Sequence, residues 1–266
     1  MIHRLPTGIS SNSLEQYILG LADDEMILGH RDSEWTGYAP ILEEDIAFSN
    51  IAQDEIGHSL VWYTLYQEVT GKEPDAMVFR RNWSDFVCCR FVEYPKGDFA
   101  YTVVRQFLFD IAEQMRLESL IASSFEPFAQ IAGRLLKEET YHRLHSESLL
   151  KGLGDATPES AQRMQAALDV AFPQALGMFE IIESEHELIS GNVITGNEMM
   201  LDEWLGVVVP IISSVSLKLP VKSEHGSLKP SCVAELGGRR GIHTSHLKSL
   251  VDDLQKVYSI APEAKW

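Results

Sequence analysis

Two tetrads, Glu55-Ile-Gly-His58 and Glu139-Thr-Tyr-His142, share the form Glu-x-x-His, and each follows a further carboxylate, Glu25 and Asp110, by about thirty residues. On a helix, residues i and i+3 share a face, so each tetrad offers one carboxylate and one imidazole to the same point. Two such helices, with one carboxylate from each of two more, supply the donor set of a di-metal carboxylate four-helix bundle. The interval covers the end of one helix, a short loop and half of the next antiparallel helix, so each pair meets at mid-bundle height. Carboxylate oxygens with two imidazoles suit two iron ions, with manganese as the alternative. Zinc prefers four ligands and thiolates or histidines. The predicted ligands are Glu25, Glu55, His58, Asp110, Glu139 and His142.

A lone Glu-x-x-His arises by chance in any helical chain rich in Glu and His, and Glu183-Ser-Glu-His186 is a third instance. It sits in the charged run 180–187 and reads as a solvated surface. The first two differ in context. Asp54 and Glu138 immediately precede the motif glutamates, and apolar residues surround them: Ile46, Phe48, Ile51 and Leu60 near the first, Ile131, Leu135 and Leu136 near the second. No Lys or Arg stands at helical spacing from Glu55, so a buried cluster of these carboxylates needs another source of positive charge, which a metal pair provides. Asp54 and Glu138 either accept the distal N–H of a ligand histidine, on their own helix or the opposite one, or are ordinary helix-face acids. His145, six residues from Glu139, is off the ligand face.

The helices that carry these residues are legible from periodicity. Ser13-Leu-Glu-Gln16 has capping-box form and opens a helix over 13–31. A loop around Trp35 leads to a second helix over 41–70, interrupted only by Gly57, which either admits a close neighbour or is tolerated. Residues 71–97 form the crossover between two hairpins. Helices over 99–123 and 126–153 follow, the latter ended by Gly152-Leu-Gly154. A fifth helix runs over 158–189, another over 197–214 and a last over 244–260. Residues 218–243 read as an extended surface loop. Trp35, Tyr38, Trp62 and Tyr63 are expected to pack the bundle. The expected fold is all-α: a single domain with a core bundle over about 13–153 and accessory helices and a loop over about 158–266.

The 266 residues carry 22 Lys and Arg against 39 Asp and Glu, a formal charge of −17. That excess argues against nucleic acid and anionic membranes as partners. Three cysteines form no disulfide framework, the opening residues do not read as a signal peptide, and no apolar run spans a bilayer, so the expected location is the cytoplasm.

Glu34-Trp-Thr-Gly-Tyr-Ala-Pro40, Gln53-Asp-Glu-Ile-Gly-His58 and Lys137-Glu-Glu-Thr-Tyr-His142 resemble the ferritin-like subunits of the bacterial phenylacetyl-CoA epoxidase. Gly237-Gly-Arg-Arg-Gly-Ile-His-Thr-Ser-His-Leu247 and Trp266 are similar to its PaaC subunit. The resemblance implies a ferritin-like four-helix bundle with additional C-terminal helices. It also implies a subunit of a di-iron multicomponent oxygenase for ring 1,2-epoxidation of phenylacetyl-CoA in phenylacetate degradation. The implied partners are a homologous ferritin-like subunit, a small accessory subunit, a reductase and the CoA thioester substrate, with a homodimer as a further assembly. In that family the PaaC subunit is described as a structural partner with degraded ligand positions, whereas the six positions here match the ligands of the catalytic PaaA subunit. A non-catalytic scaffold and a stand-alone ferritin-like di-metal protein are the alternatives. Lys218, Lys222, Lys229, Arg239 and Arg240 are basic against an acidic background, and would contact either CoA phosphates or, as the favoured reading, another subunit.

Overall fold

The computed structural model describes residues 6, 8–215, 217–262 and 264; Trp266 lies outside them. Helix α1 (Ser11–Ser33) begins two residues before the predicted start because Ser10 is its cap, accepting the Ser13 N–H at 3.2 Å. Ser13 itself lies inside the helix and bonds Glu187 instead of closing a capping box. Helix α2 (Leu42–Thr70) stops at Gly71, whose φ of 77° favours glycine and whose N–H donates to the Gln67 carbonyl at 2.7 Å. Within it Gly57 is exposed and a Cβ there would meet nothing, so this glycine is simply tolerated.

The crossover holds α3 (Pro74–Phe79), a single 3-10 turn (Trp83–Asp85) and α4 (Arg90–Glu93). The second hairpin is α5 (Phe99–Leu120), capped by Asp98, and α6 (Glu126–Ala156). Gly152 and Gly154 do not end α6. The stop comes at Thr157, extended before Pro158, and its side chain caps α7 (Pro158–Ala175). Gly154 has a packing role, since a Cβ there would lie 3.2 Å from Val215.

The helix expected over 158–189 is broken. Pro173 stands near the end of α7, a 3-10 turn follows at Leu176–Phe179, and α8 spans only Glu185–Ser190. Then come α9 (Asn197–Ser214), an antiparallel hairpin of β1 (Val221–Glu224) and β2 (Ser227–Pro230), and α10 (Ser245–Ile260). No helix among the described residues is long and apolar enough to cross a membrane.

Helix α5 is the axis of the core. Its Val103, Val104, Phe107, Leu108 and Ile111 are buried in one apolar cluster with Leu168 and Phe172 of α7 and Trp204 and Val208 of α9. Accessory helices and bundle therefore share this core. A second cluster joins Leu14 and Ile18 of α1, Trp62 of α2, Leu117 of α5 and Phe128 of α6. Trp35, Trp62 and Tyr63 pack inside as expected, but Tyr38 is exposed, lying beside Lys96. Ile46 and Leu60, expected near a buried site, also face outward, while Phe48 and Ile51 are buried.

Residues 218–243 are not a plain surface loop. After the β-hairpin the chain turns inward, and Gly238 packs so tightly on the crossover that a Cβ would fall 2.3 Å from the Cys88 carbonyl and 2.8 Å from the Arg90 nitrogen. Since backbone on both sides must shift, Gly238→Ala is expected to destabilise the fold by about 1–3 kcal/mol or more, read as a lowered midpoint in urea unfolding. The next residue, Arg239, inserts its guanidinium against α1. It pairs with Asp24 and donates to the Gly20 carbonyl at 3.0 Å and the Val87 carbonyl at 3.1 Å.

Candidate metal centre

Helices α1, α2, α5 and α6 each bring buried side chains to one place. Ligand atoms of Glu25, Glu55, His58 and Glu139 lie within 4.8 Å of one another, as do those of Glu55, Asp110 and His142. All six residues are buried. His58 Nδ1 lies 3.8 Å from Glu25, 3.9 Å from Glu55 Oε2 and 3.3 Å from Glu139 Oε1. His142 Nδ1 lies 3.6 Å from Glu55 Oε1 and 3.3 Å from the same Glu139 Oε1. Glu55 thus turns one oxygen toward each imidazole, and Glu139 stands between the two rings.

The distal nitrogens point the other way, to carboxylates on the opposite helix. His58 Nε2 meets Glu138 at 2.7 Å and His142 Nε2 meets Asp54 at 3.3 Å. Each Asp/Glu-Glu-x-x-His segment therefore orients the other's histidine across the α2–α6 seam. With Nε2–H donating outward, the neutral ring presents its Nδ1 lone pair to the cluster, as a metal-binding imidazole does.

The donor set fits a metal pair on a direct structural test. Glu25 Oε2, Glu55 Oε2, both oxygens of Glu139 and Nδ1 of both histidines are buried without a hydrogen-bond partner. Buried polar atoms are ordinarily satisfied, and here the orphaned ones converge on the same space. Ions with oxygen and nitrogen ligands at about 2.0–2.2 Å would satisfy them together.

The electrostatics agree. Burial, reinforced by Glu55, pushes the Glu25 carboxyl well above its usual range, and burial lifts Glu55 to about 7. Burial and then Glu139 raise Asp110. Burial would also raise Glu139, but His142 and His58 outweigh it and hold that carboxyl at about 2. Burial opposes charge on the imidazoles, yet Glu139 and the other carboxylates lift His58 to about 9 and His142 to about 12. Without metal the cluster holds protons at neutral pH, and those protons compete with cations for the same atoms. Metal uptake is expected to release protons, with affinity rising as pH is raised from about 6 to 8. Calorimetry in buffers of different ionisation enthalpy checks this, and a pH-independent affinity would contradict it.

Two residues beside the ligands go beyond those the motifs mark. Gln106 donates its amide to Asp110 Oδ1 at 2.6 Å and to Glu55 Oε1 at 3.3 Å, and Ser146 donates to Asp110 Oδ2 at 2.6 Å. They stand one turn before Asp110 and one turn after His142, a signal available from helical spacing alone. Glu113 and Arg116 form a further buried pair on α5.

Glu183 and His186 are exposed, and because α8 starts at Glu185 they do not share a helix face. His145 bonds Glu44 at 3.0 Å, outside the cluster. Of the basic residues expected at CoA or a partner, Arg239 is corrected: its guanidinium is buried on Asp24 and serves the fold. Arg240 is largely exposed and bonds Glu180 at 2.6 Å, Lys229 pairs with Asp202 at 2.7 Å, Lys222 with Glu224 at 2.7 Å, and Lys218 is exposed.

The family model of the phenylacetic acid catabolic proteins matches residues 6–266. The PaaC subunit of the 1,2-phenylacetyl-CoA epoxidase of Escherichia coli (strain K12) is 28% identical over 256 residues, covering 96% of this chain and 100% of that protein. With the match running through both hairpins, the accessory helices and the Arg239 segment, the chain belongs to the phenylacetic acid catabolic protein family.

Proposed function

We propose that this chain is an oxygenase subunit of a phenylacetyl-CoA epoxidase complex and that Glu25, Glu55, His58, Asp110, Glu139 and His142 hold two iron ions. The observation that carries the reading is the convergence of unpartnered, buried carboxylate and imidazole atoms, each histidine steadied from behind by a carboxylate. A bound iron pair supplies the electrons for dioxygen activation at such a centre. The chain's own part is to fix the ligands, to orient the imidazoles through Glu138 and Asp54, and to keep water from the buried cluster. The shared core of bundle and accessory helices supports reading the chain as one domain.

The partners follow from the same reading: a homologous ferritin-like subunit, a small accessory subunit and a reductase. Val233, Leu236 and Ile242 are exposed apolar residues in or beside the 218–243 segment, and Arg240 lies among them, which supports docking of another protein chain over CoA binding there. The test is reconstitution of the complex with native chain or with Glu139→Ala in this chain alone, reading iron per chain and phenylacetyl-CoA-dependent oxygen uptake. Loss of both is expected. Full turnover with the variant would leave the chain a scaffold for its partner.

A further inference from the structure

The two halves of the bundle repeat one another: Glu25 answers Asp110, Glu55 answers Glu139, His58 answers His142, and Asp54 answers Glu138. The repetition fails at two places. One turn before Glu25 stands Leu21, whereas one turn before Asp110 stands Gln106; one turn after His58 stands Trp62, whereas one turn after His142 stands Ser146. All four are buried. The His58 side is walled by apolar groups and the His142 side by hydrogen-bond donors.

The donors are engaged with the ligands themselves. The Gln106 amide nitrogen reaches Asp110 Oδ1 at 2.6 Å and Glu55 Oε1 at 3.3 Å, and Glu55 Oε1 is the oxygen turned toward His142. Its own Oε1 has no partner, so the two carboxylates are the groups that hold this amide. Ser146 takes the other Asp110 oxygen at 2.6 Å. Asp110, a methylene shorter than Glu25, has both oxygens occupied, while Glu25 Oε2 and Glu55 Oε2 on the His58 side are unpartnered. An N–H pair placed between two carboxylates does in part what a cation does there, and an arriving ion must displace it.

We propose that the two metal positions are unequal: the position beside His58 fills first, and the position beside His142 is closed by the Gln106 amide and takes its ion second and more weakly. This rests on the metal-centre reading above. It makes Gln106 a positioning residue that sets occupancy through Asp110 and Glu55 without being one of the six ligands.

Titration of the metal-free full chain with Mn(II), followed by equilibrium dialysis and electron paramagnetic resonance, tests it without any assay of turnover. The first equivalent is expected to give the signal of an isolated ion. The second should bind at least about tenfold more weakly and give that of a coupled pair, within the range by which groups around a metal tune affinity. His58→Ala should remove the tight phase and His142→Ala the weak one. Gln106→Ala should bring the two affinities to within about threefold, and Gln106→Leu, which keeps most of the volume, should do the same. A coupled signal from the first additions to native chain would overturn the inequality while leaving the metal centre standing. A second phase weakened or unchanged in both Gln106 variants would overturn the role of the amide. Native chain that is folded and binds no Mn(II) would remove the metal centre and this inference with it.

Discussion

Glu55→Ala is expected to abolish the metal-induced rise in Tm while leaving the metal-free protein no less stable than the native chain. Glu55 is the carboxylate that faces both imidazoles, so its loss opens both metal positions at once. A ligand that binds only the folded state at one hundred times its Kd adds about 2.7 kcal/mol. For a chain of this size that corresponds to a Tm rise of roughly 5–10 °C. The native protein should show that increment with Fe(II) or Mn(II), and the variant none. Metal-free stability should hold because removing one of four crowded buried carboxylates relieves repulsion, and its one side-chain donor, Gln106, keeps Asp110. Calorimetric scans with and without metal decide this. An undiminished increment in the variant would mean that metal stabilises from elsewhere.

The second large effect lies one residue from the ligand Glu25. Asp24→Ala is expected to cost about 3–5 kcal/mol, because it strands the buried Arg239 guanidinium. It also removes the acceptor for the Cys89 N–H, which lies 2.7 Å from Asp24 Oδ1. In a thermal scan that is a fall of roughly 6–20 °C. Asp24→Leu combined with Arg239→Met should recover most of the loss, since a buried ion pair replaced by apolar groups of similar volume is often near neutral. A single variant that loses less than about 1 kcal/mol would show the guanidinium reaching water when unpaired.

The six clustered residues are legible in the sequence because helical spacing is local: i and i+3 fix a shared face, and the thirty-residue interval fixes the height. Gln106 and Ser146 obey the same spacing, but a polar residue one turn from an acid is common on any helix, so nothing in the sequence sets them apart. What tethers α1 is out of reach for a different reason. Asp23 is met by Arg81, Tyr63 and the Val87 N–H, Asp24 by Arg239 and the Cys89 N–H, and Asp32 by Arg105 at 2.9 Å, all distant in sequence. No periodicity encodes such pairings. The expectation of a partner contact at Arg239 fails on that ground, since a glycine-flanked basic pair looks like a surface feature until its counter-ion is known. The helix expected to run through Pro173 fails on a local competition: the pattern of apolar residues continues, but a carbonyl turned outward there accepts the Glu235 N–H at 3.0 Å. Gly177 then lets the Glu235 carbonyl approach to where a Cβ would sit 2.5 Å away.

The clasp between Arg239 and Asp24 also sets an order of events at the ribosome. Synthesis proceeds from residue 1, so every candidate ligand, the last being His142, is made long before Arg239 emerges. During that interval the ligand-bearing turn of α1 carries an aspartate whose cationic partner does not yet exist. The nascent bundle can collapse, but its first helix is not locked beside the crossover until the far end of the chain folds back on it. Completion of the centre is thereby tied to completion of the polypeptide, and a product truncated before residue 239 would expose its incompleteness at the helix that bears Glu25, far in sequence from the truncation.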